Sequence, residues 1–319
     1  MPVLPELEPL LARIHAAGSP DRVMPVAERR KQVHAGIEMQ QVHMVEPVSA
    51  APYADHRVPV AGGEITVRVY RPETKEPVGC HLFVHGGGWW MGTLDQSDLA
   101  CSRIVDAVGC AVASVDHRWA PEHRFPHPAE DCYAALSWLA AGPAELCLDP
   151  DRISVGGVSS GANLVAATTL MARDRGGPSV IAQSLEVPML DLTMSQASID
   201  ELAEGYMLTR ERLTLEVADY CEPERRSEPY ASPLLAQDLA GLPPALIATV
   251  EYDLLRDDGE NYAQRLMTAG VSATALRWPG HLHGSLGLTG LVPSASEWHR
   301  RQHAFLRESH GLDPVRRET

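Results

Sequence analysis

The sequence predicts an α/β fold, in which a mostly parallel central sheet is covered by helices on both faces. Short apolar segments alternate with helical stretches from about residue 78 onward, which is typical of buried parallel strands joined by crossover helices. Before them, HRVPV and EITVRVY alternate apolar and polar residues across Ala61-Gly62-Gly63 and predict a β-hairpin. Residues 1–48 and 193–222 show helical spacing instead, and we expect them to form a helical cap over the sheet.

The predicted parallel strands are six short apolar segments. Their sequences are GCHLFV, CAVASV, RISVGG, SLEVPML, PALIATV and ATALRW. Helices are expected between them, for example over residues 130–141 and 163–175. Because ligands of such sheets bind at the carboxyl ends of the strands, functional residues are expected in the loops that follow these segments. We expect the chain to divide into a cap and a core. The first part of the cap is residues 1–48, and its second part is an insertion at 193–222. The core comprises residues 49–192 and 223–319.

The composition limits the classes of function. The chain has 319 residues, of which 45% are apolar, and a formal net charge of −15. A chain this acidic has no electrostatic attraction to nucleic acid or to anionic membranes. The sequence shows neither a long apolar run nor a leader-like N-terminus, so we expect no membrane span and a cytoplasmic location. The six cysteines lack metal-ligand spacing, and no metal or cofactor is expected.

A G-x-S-x-G motif occupies residues 157–161, directly after the strand RISVGG and at the start of a predicted helix. In this position the motif is typical of a nucleophile elbow, where small neighbours allow a serine to stand at the tip of a sharp turn. Ser159 meets this requirement, whereas Ser160 would have the bulky Val158 as a neighbour. The alternative that the motif alone leaves open is an ordinary strand-to-helix turn with a capping serine.

A nucleophilic serine needs a histidine base and an acid that orients the histidine. In a strand–elbow–helix fold the acid follows the serine, and the histidine follows the acid. The strand PALIATV is followed by Asp253, whereas Asp257 and Asp258 begin the next predicted helix and are explained as helix N-terminal carboxylates. The loop after ATALRW carries His281 and His283. The spacing therefore favours Asp253 as the acid and leaves both histidines open as the base.

The segment HGGGWW at residues 85–90 follows the strand GCHLFV. Successive glycines let backbone N–H groups turn toward a bound anion, as an oxyanion hole requires. A phosphate-binding loop is disfavoured because no lysine lies near and the spacing does not fit a dinucleotide motif. We expect His85 to brace the loop. Trp89 and Trp90 are candidates for contact with substrate, and the alternative is that at least one indole packs into the core.

Four blocks of sequence resemble the hormone-sensitive lipase family of α/β-hydrolases, which includes the bacterial family IV esterases. The blocks are HGGGWW, DHRWAPEHRFPHPAEDC, GGVSSGANL, and EYDLLRDDGENYAQRL followed by GHLHG. The resemblance implies an α/β-hydrolase fold with a helical cap. It also implies that Ser159 is the nucleophile, Asp253 the acid and His283 the base.

The same resemblance assigns the oxyanion hole. It implies that the backbone N–H groups of Gly87, Gly88 and Ser160 bind the oxyanion. It further implies an architectural role for the segment that contains Arg118 and Glu122, and we expect these two residues in one buried polar network behind the glycine loop.

The function implied is that of a serine carboxylesterase, which hydrolyses short- to medium-chain acyl esters through an acyl-enzyme. Two alternatives remain open from the sequence, since one fold supports several functions. One is an amidase or N-acetyl hydrolase that uses the same three residues, and the other is a non-catalytic receptor for a small molecule. The expected partner is a small-molecule ester, without nucleic acid or stable membrane insertion, and the chain is expected to be a monomer or a homodimer.

Overall fold

The computed structural model describes residues 2–17 and 24–313. Its strands, in chain order, are β1 Tyr53–Val60, β2 Gly63–Tyr70, β3 Val78–Val84, β4 Ala111–Asp116, β5 Leu148–Val158, β6 Ala182–Glu186, β7 Ala245–Tyr252 and β8 Ala273–Leu282. Its α-helices are α1 Glu8–Ala17, α2 Val26–Met44, α3 Leu94–Val108, α4 His127–Ala140, α5 Ser160–Asp174, α6 Ser198–Glu201, α7 Arg210–Tyr220, α8 Arg256–Thr268 and α9 Pro293–Ser309. Among the described residues, no helix has both the length and the apolar character that crossing a lipid bilayer requires.

The described strands form one sheet in the order β1-β2-β4-β3-β5-β6-β7-β8. The strand β2 runs antiparallel to both of its neighbours, whereas β3 to β8 are all parallel. The β-hairpin and the mostly parallel α/β-hydrolase sheet are therefore confirmed. The six predicted apolar segments all overlap a strand. The segment SLEVPML overlaps its strand over the fewest residues. The strand β6 ends at Glu186, because the next residue, Val187, takes a positive φ of 41°.

Helices cover both faces of the sheet, as the sequence predicts. The helices α4, α5 and α8 pack on one face and contribute Leu136, Leu164 and Leu266 to the largest apolar cluster. On the opposite face, α3 and α9 contribute residues such as Ile104 and Leu306. All the loops at the carboxyl ends of β3 to β8 therefore open at one edge of the sheet, between these two layers.

Helices from the predicted cap segments contact the loops at this edge. The segment 1–48 contains α1 and α2, and its residues 1 and 18–23 lie outside the described residues. The segment 193–222 contains α6 and α7. Leu10 of α1 and Leu7, in the turn before α1, pack in an apolar cluster with Leu282, the last residue of β8.

Candidate active site

Ser159 stands at a sharp turn between β5 and α5, with a φ of 55° and a ψ of −117°. A positive φ is rare for a residue with a side chain and indicates a turn held by its surroundings. The flanking glycines explain how the turn fits. A Cβ atom at Gly161 would stand 2.2 Å from the carbonyl oxygen of Val84, and one at Gly157 would stand 2.6 Å from the carbonyl carbon of Gly161. The local geometry is that of a nucleophile elbow.

The structure brings Ser159, Asp253 and His283 together. The Nδ1 atom of His283 lies 2.7 Å from Asp253 Oδ2, and its Nε2 atom lies 3.0 Å from Ser159 Oγ. Asp253 is 2% exposed and also accepts a hydrogen bond from the Leu255 N–H at 3.0 Å. A buried, fixed carboxylate thus orients an imidazole whose second nitrogen contacts the serine hydroxyl, which is the geometry of nucleophilic catalysis.

The other histidine of this loop, His281, is buried away from the serine. Its Nδ1 contacts Ser285 Oγ and its Nε2 contacts Ser294 Oγ, both at 2.8 Å. Burial lowers the pKa of His281 to about 4, so its imidazole is neutral at pH 7. His281 therefore connects the loop after β8 to α9, and both of its ring nitrogens contact hydroxyls other than that of Ser159.

The two acids at the start of α8 hold other segments of the chain. Asp258 accepts the backbone N–H groups of Leu190 and Asp191 at 2.6 and 2.9 Å, and Asp257 accepts that of Ser198 at 3.0 Å. Both are in the first turn of α8, as the sequence predicts. Their role in the structure is to fix the segment that follows β6.

A second contact between serine and histidine occurs within the sheet. Ser154 Oγ lies 2.8 Å from His81 Nδ1 and 2.8 Å from His310 Nε2. Ser154 lies in the middle of β5 and is fully buried, as is His81. No substrate can reach this hydroxyl, so the contact joins α9 to the sheet and is not a reaction centre.

The glycine loop after β3 has the backbone conformation that an oxyanion hole needs. Gly87 and Gly88 have φ values of 132° and 58°. A Cβ atom at Gly87 would stand 2.2 Å from the carbonyl oxygen of Met91. Within the described residues, neither glycine N–H donates a backbone hydrogen bond. Ser160 is the first residue of α5, so its N–H also lies outside the hydrogen bonds of the helix.

Both tryptophans of this loop are buried. Trp89 is 1% exposed, donates its indole N–H to Asn163 Oδ1 at 3.2 Å, and stacks on Tyr220 with ring centroids 4.3 Å apart. Trp90 is 5% exposed and donates its indole N–H to Glu216 Oε1 at 3.2 Å. Contact with substrate stays a prediction for both, and the core position of Trp89 makes it the less suited of the two.

His85 braces the loop, as expected. Its Nδ1 lies 2.9 Å from the carbonyl oxygen of Gly86, and its ring stacks on His117 with centroids 5.0 Å apart. Burial lowers the pKa of His85 below its usual range. A Cβ atom at Gly92 would stand 2.2 Å from His85 Nδ1, so the imidazole fills the space beneath the loop.

The expected single network of Arg118 and Glu122 is wrong. Arg118 forms a bidentate ion pair with the buried Asp131 of α4. Glu122 has a side chain that is 45% exposed, and it pairs with Arg30 of α2 at 2.9 Å. The two residues point to different layers, so they form two separate ion pairs.

Three polar residues near the site were missed from the sequence. Asn163 anchors Trp89, Glu216 anchors Trp90, and Glu186 is buried at the end of β6 beside the elbow. One of them carried a signal, since Glu186 is the only charged residue in the apolar segment SLEVPML. Asn163 and Glu216 lie in helices where a polar residue is ordinary.

Comparison with known proteins gives a consistent result. A family model described as the alpha/beta hydrolase fold matches residues 81–287. An arylesterase of Saccharolobus solfataricus is 39% identical over 236 residues, which cover 73% of this chain and 76% of the arylesterase. The carboxylesterase NlhH of Mycobacterium tuberculosis is 38% identical over 239 residues, which cover 73% of this chain and 75% of NlhH.

Similarity to solved structures extends over almost the whole chain. A hyperthermophilic esterase from the archaeon Pyrobaculum calidifontis is 38% identical and has a TM-score of 0.90, covering 97% of this chain and 99% of that esterase. The family match, these relatives and the four sequence blocks agree with one another. The chain belongs to the hormone-sensitive lipase family of α/β-hydrolases.

Proposed function

We propose that this carboxylic ester hydrolase cleaves short- to medium-chain acyl esters through an acyl-enzyme formed on Ser159. The observation that carries the proposal is the position of His283, whose two ring nitrogens lie 2.7 Å from Asp253 Oδ2 and 3.0 Å from Ser159 Oγ. A base that contacts both an orienting acid and a hydroxyl is what acyl transfer to serine requires.

In the acylation step, Ser159 Oγ attacks the carbonyl carbon of the ester while His283 Nε2 takes the hydroxyl proton. Asp253 accepts the Nδ1–H of His283 and stabilises the imidazolium that forms. The tetrahedral intermediate then collapses. The bond to the alcohol oxygen breaks, His283 gives its proton to that oxygen, and the acyl group remains on Ser159.

Deacylation repeats these steps with water. His283 Nε2 takes a proton from water, whose oxygen attacks the acyl carbon. The bond from the acyl carbon to Ser159 Oγ breaks, and His283 returns the proton to that oxygen. The carboxylic acid leaves and the enzyme is restored.

We assign the oxyanion hole to the backbone N–H groups of Gly87, Gly88 and Ser160. The positive φ values of both glycines and the absence of a backbone acceptor for their N–H groups within the described residues support this assignment. Donors fixed before the reaction stabilise the charge that develops on the carbonyl oxygen. Each such donor is worth about 3–4 kcal/mol of the activation barrier.

Residues 1–48 and 193–222 form the proposed cap, and 49–192 and 223–319 form the proposed core. Contacts from both segments to the same loop support this division. Arg30 of α2 donates to the carbonyl oxygen of Trp90 at 2.5 Å, and Glu216 of α7 accepts from its indole. A cytoplasmic location and a monomeric or homodimeric state remain predictions of the sequence.

The proposal is tested with two adjacent serines. Ser159→Ala should lower kcat for p-nitrophenyl acetate by about 10⁵-fold or more, because the nucleophile is lost. Ser160→Ala is the matched control, since it keeps the backbone N–H and removes a buried hydroxyl for which the described residues offer no hydrogen-bond partner. A fluorophosphonate should label the wild type and Ser160→Ala but not Ser159→Ala. Full activity of Ser159→Ala, or a folded wild type that is neither labelled nor active, would contradict the proposal.

A further inference from the structure

Arg30 is a buried arginine of α2 that the reaction described so far does not use. It is 8% exposed, and its guanidinium group lies over the ring of Trp119 at 4.5 Å from the centroid. Its Nε donates to the carbonyl oxygen of Trp90 at 2.5 Å, and its Nη2 donates to that of Ala120 at 3.2 Å. Glu122 accepts two further hydrogen bonds from the same group. The guanidinium group is therefore held in one position against the glycine loop and the segment after β4.

The Trp90 carbonyl group that Arg30 holds belongs to the same peptide unit as the Met91 N–H. This N–H donates to the carbonyl oxygen of Gly87 at 3.2 Å, and the Trp90 N–H donates to the same oxygen at 3.2 Å. The Gly87 carbonyl group in turn shares a peptide unit with the Gly88 N–H. Both peptide units are trans, and the C=O and N–H bonds of a planar trans peptide point in opposite directions. Two peptide units therefore connect Arg30 to the Gly88 N–H and set the direction in which it points.

The two proposed oxyanion donors of the glycine loop are held from different places. His85 Nδ1 lies 2.9 Å from the carbonyl oxygen of Gly86, and this carbonyl shares a peptide unit with the Gly87 N–H. That donor is therefore fixed from within the loop, whereas the Gly88 N–H is fixed from α2. Hydrogen bonds that are joined in series polarise one another, and a charged donor forms the stronger bond. The positive charge of Arg30 thus makes the Gly88 N–H a better donor.

A second residue of α2 holds the same loop. His34 lies four positions after Arg30, on the same face of the helix, and its Nε2 accepts the Gly92 N–H at 3.0 Å. The guanidinium group of Arg29 also lies over the Trp90 ring at 4.7 Å from the centroid. Successive turns of α2 therefore brace the loop along its length.

We propose that Arg30 is a positioning residue for the oxyanion hole, which fixes and polarises the Gly88 N–H through the peptide units 90–91 and 87–88. The inference rests on the proposed function, in which Gly88 is an oxyanion donor. Helix α2 of the proposed cap then contributes to the reaction itself, in addition to covering the sheet edge. Because the oxyanion forms only on the way to the tetrahedral intermediate, Arg30 acts on kcat and leaves the binding of the ester unchanged.

The test compares Arg30→Gln with the wild type on p-nitrophenyl acetate. Glutamine removes the charge and the set of donors that the guanidinium group provides. We expect kcat to fall about tenfold or more while KM stays within about twofold of the wild-type value. A trifluoromethyl ketone forms an adduct with Ser159 whose charged oxygen lies in the oxyanion hole. Its inhibition constant should rise by the same factor by which kcat/KM falls.

Arg265→Gln is the matched control. Arg265 of α8 also holds a loop through a backbone carbonyl group, since its Nη2 donates to the carbonyl oxygen of Ala236 at 2.6 Å. That loop precedes β7 and is separate in the chain from the glycine loop. The control should lower the melting temperature and leave both kcat and the inhibition constant unchanged.

A second variant, Arg30→Lys, covers the case in which Arg30→Gln does not fold. Lysine keeps the positive charge but lacks the planar fork that reaches both carbonyl oxygens and Glu122 at once, so kcat should fall severalfold at an unchanged KM. A wild-type kcat in the folded variants of residue 30, a loss confined to KM, or an equal loss of kcat in Arg265→Gln overturns the inference. Failure of the proposed function would look different, because the wild type itself would then show no hydrolysis and no labelling.

Discussion

The carboxyl group of Glu216 lies directly against Gly88, so that a Cβ atom at residue 88 would stand 2.5 Å from Glu216 Cδ. Glu216 belongs to α7, is paired with Arg212 at 2.8 Å, and accepts the indole N–H of Trp90. The close approach of α7 to the glycine loop therefore depends on the missing side chain at residue 88.

Gly88→Ala should inactivate the enzyme without unfolding it. The added methyl group must displace either α7 or the loop, and residue 88 has a φ of 58° that disfavours alanine. Loss of one oxyanion donor lowers kcat by about 100-fold or more. Gly287→Ala is the matched control, since nothing lies within 4 Å of the added Cβ in the loop after His283. Equal kcat values for p-nitrophenyl acetate in both variants would contradict the assignment of Gly88.

His283→Ala and His281→Ala should have opposite effects. Removal of the base lowers kcat by about 10⁵-fold or more and leaves stability nearly unchanged. Removal of His281 leaves Ser285 and Ser294 without their imidazole partner, so we expect a loss of about 1–3 kcal/mol of stability with kcat largely retained. Steady-state kinetics and thermal melts of both variants measure the two effects. If His281→Ala is the inactive variant, the base has been assigned to the wrong histidine.

The contact between α9 and the sheet should make the protein labile to acid. Burial lowers the pKa of His81 and His303 to about 3 and that of His310 to about 4, from an ordinary value of 6.5. The unfolded chain therefore binds more protons than the folded one below pH 6.5. The stability that these neutral imidazoles contribute is complete above that pH and is lost as the pH falls toward 4. Each imidazole costs about 1.4 kcal/mol per pH unit in this window.

Guanidinium unfolding at several pH values between about 7.5 and 5 measures this loss. His303→Leu should reduce the dependence of the unfolding free energy on pH by about one proton, because leucine does not titrate. Ser309→Ala is the control, because it changes a residue of the same helix, α9, without removing a titratable group, and it should leave the dependence unchanged. A wild type whose stability is constant over this range would refute the expectation.

The proposed preference for short and medium acyl chains predicts a break in the kinetic profile. With p-nitrophenyl esters of about two to twelve acyl carbons, kcat/KM should rise about fourfold per added methylene while the pocket fills, and then level off or fall. If Trp90 lines this pocket, Trp90→Ala should move the break to longer chains. Trp138→Ala, on α4 beside His56, should not move it. A profile that still rises at the longest chains would argue against a closed pocket.

The features that were predicted best from the sequence are those set by residues adjacent in the chain. The elbow at Ser159 was predictable because such a turn leaves no room for side chains on the flanking residues. A Cβ atom at Gly161, for example, would stand 2.2 Å from the carbonyl oxygen of Val84. The strands were predictable because buried parallel strands are short apolar runs. The end of β6 was not, since it depends on the positive φ of Val187.

The identity of the base and the positions of the tryptophans depend on contacts between residues far apart in the chain. Spacing alone could not separate His281 from His283, because both lie in one loop and only the position of Asp253 distinguishes them. The burial of Trp89 follows from Asn163 and Tyr220, which lie far away in the chain. No local pattern reports which side chain another helix will bring beside a given residue.

Trp89 joins three separate parts of the protein, and this has a consequence for thermal inactivation. Its indole is bonded to Asn163 of α5 and stacked on Tyr220 of α7, while its carbonyl oxygen accepts the Ala120 N–H at 2.9 Å. A loop tied to the core in this way cannot open in a local fluctuation of its own. Loss of activity on heating should therefore follow the same cooperative transition as the melting of the whole core, with no earlier inactive state.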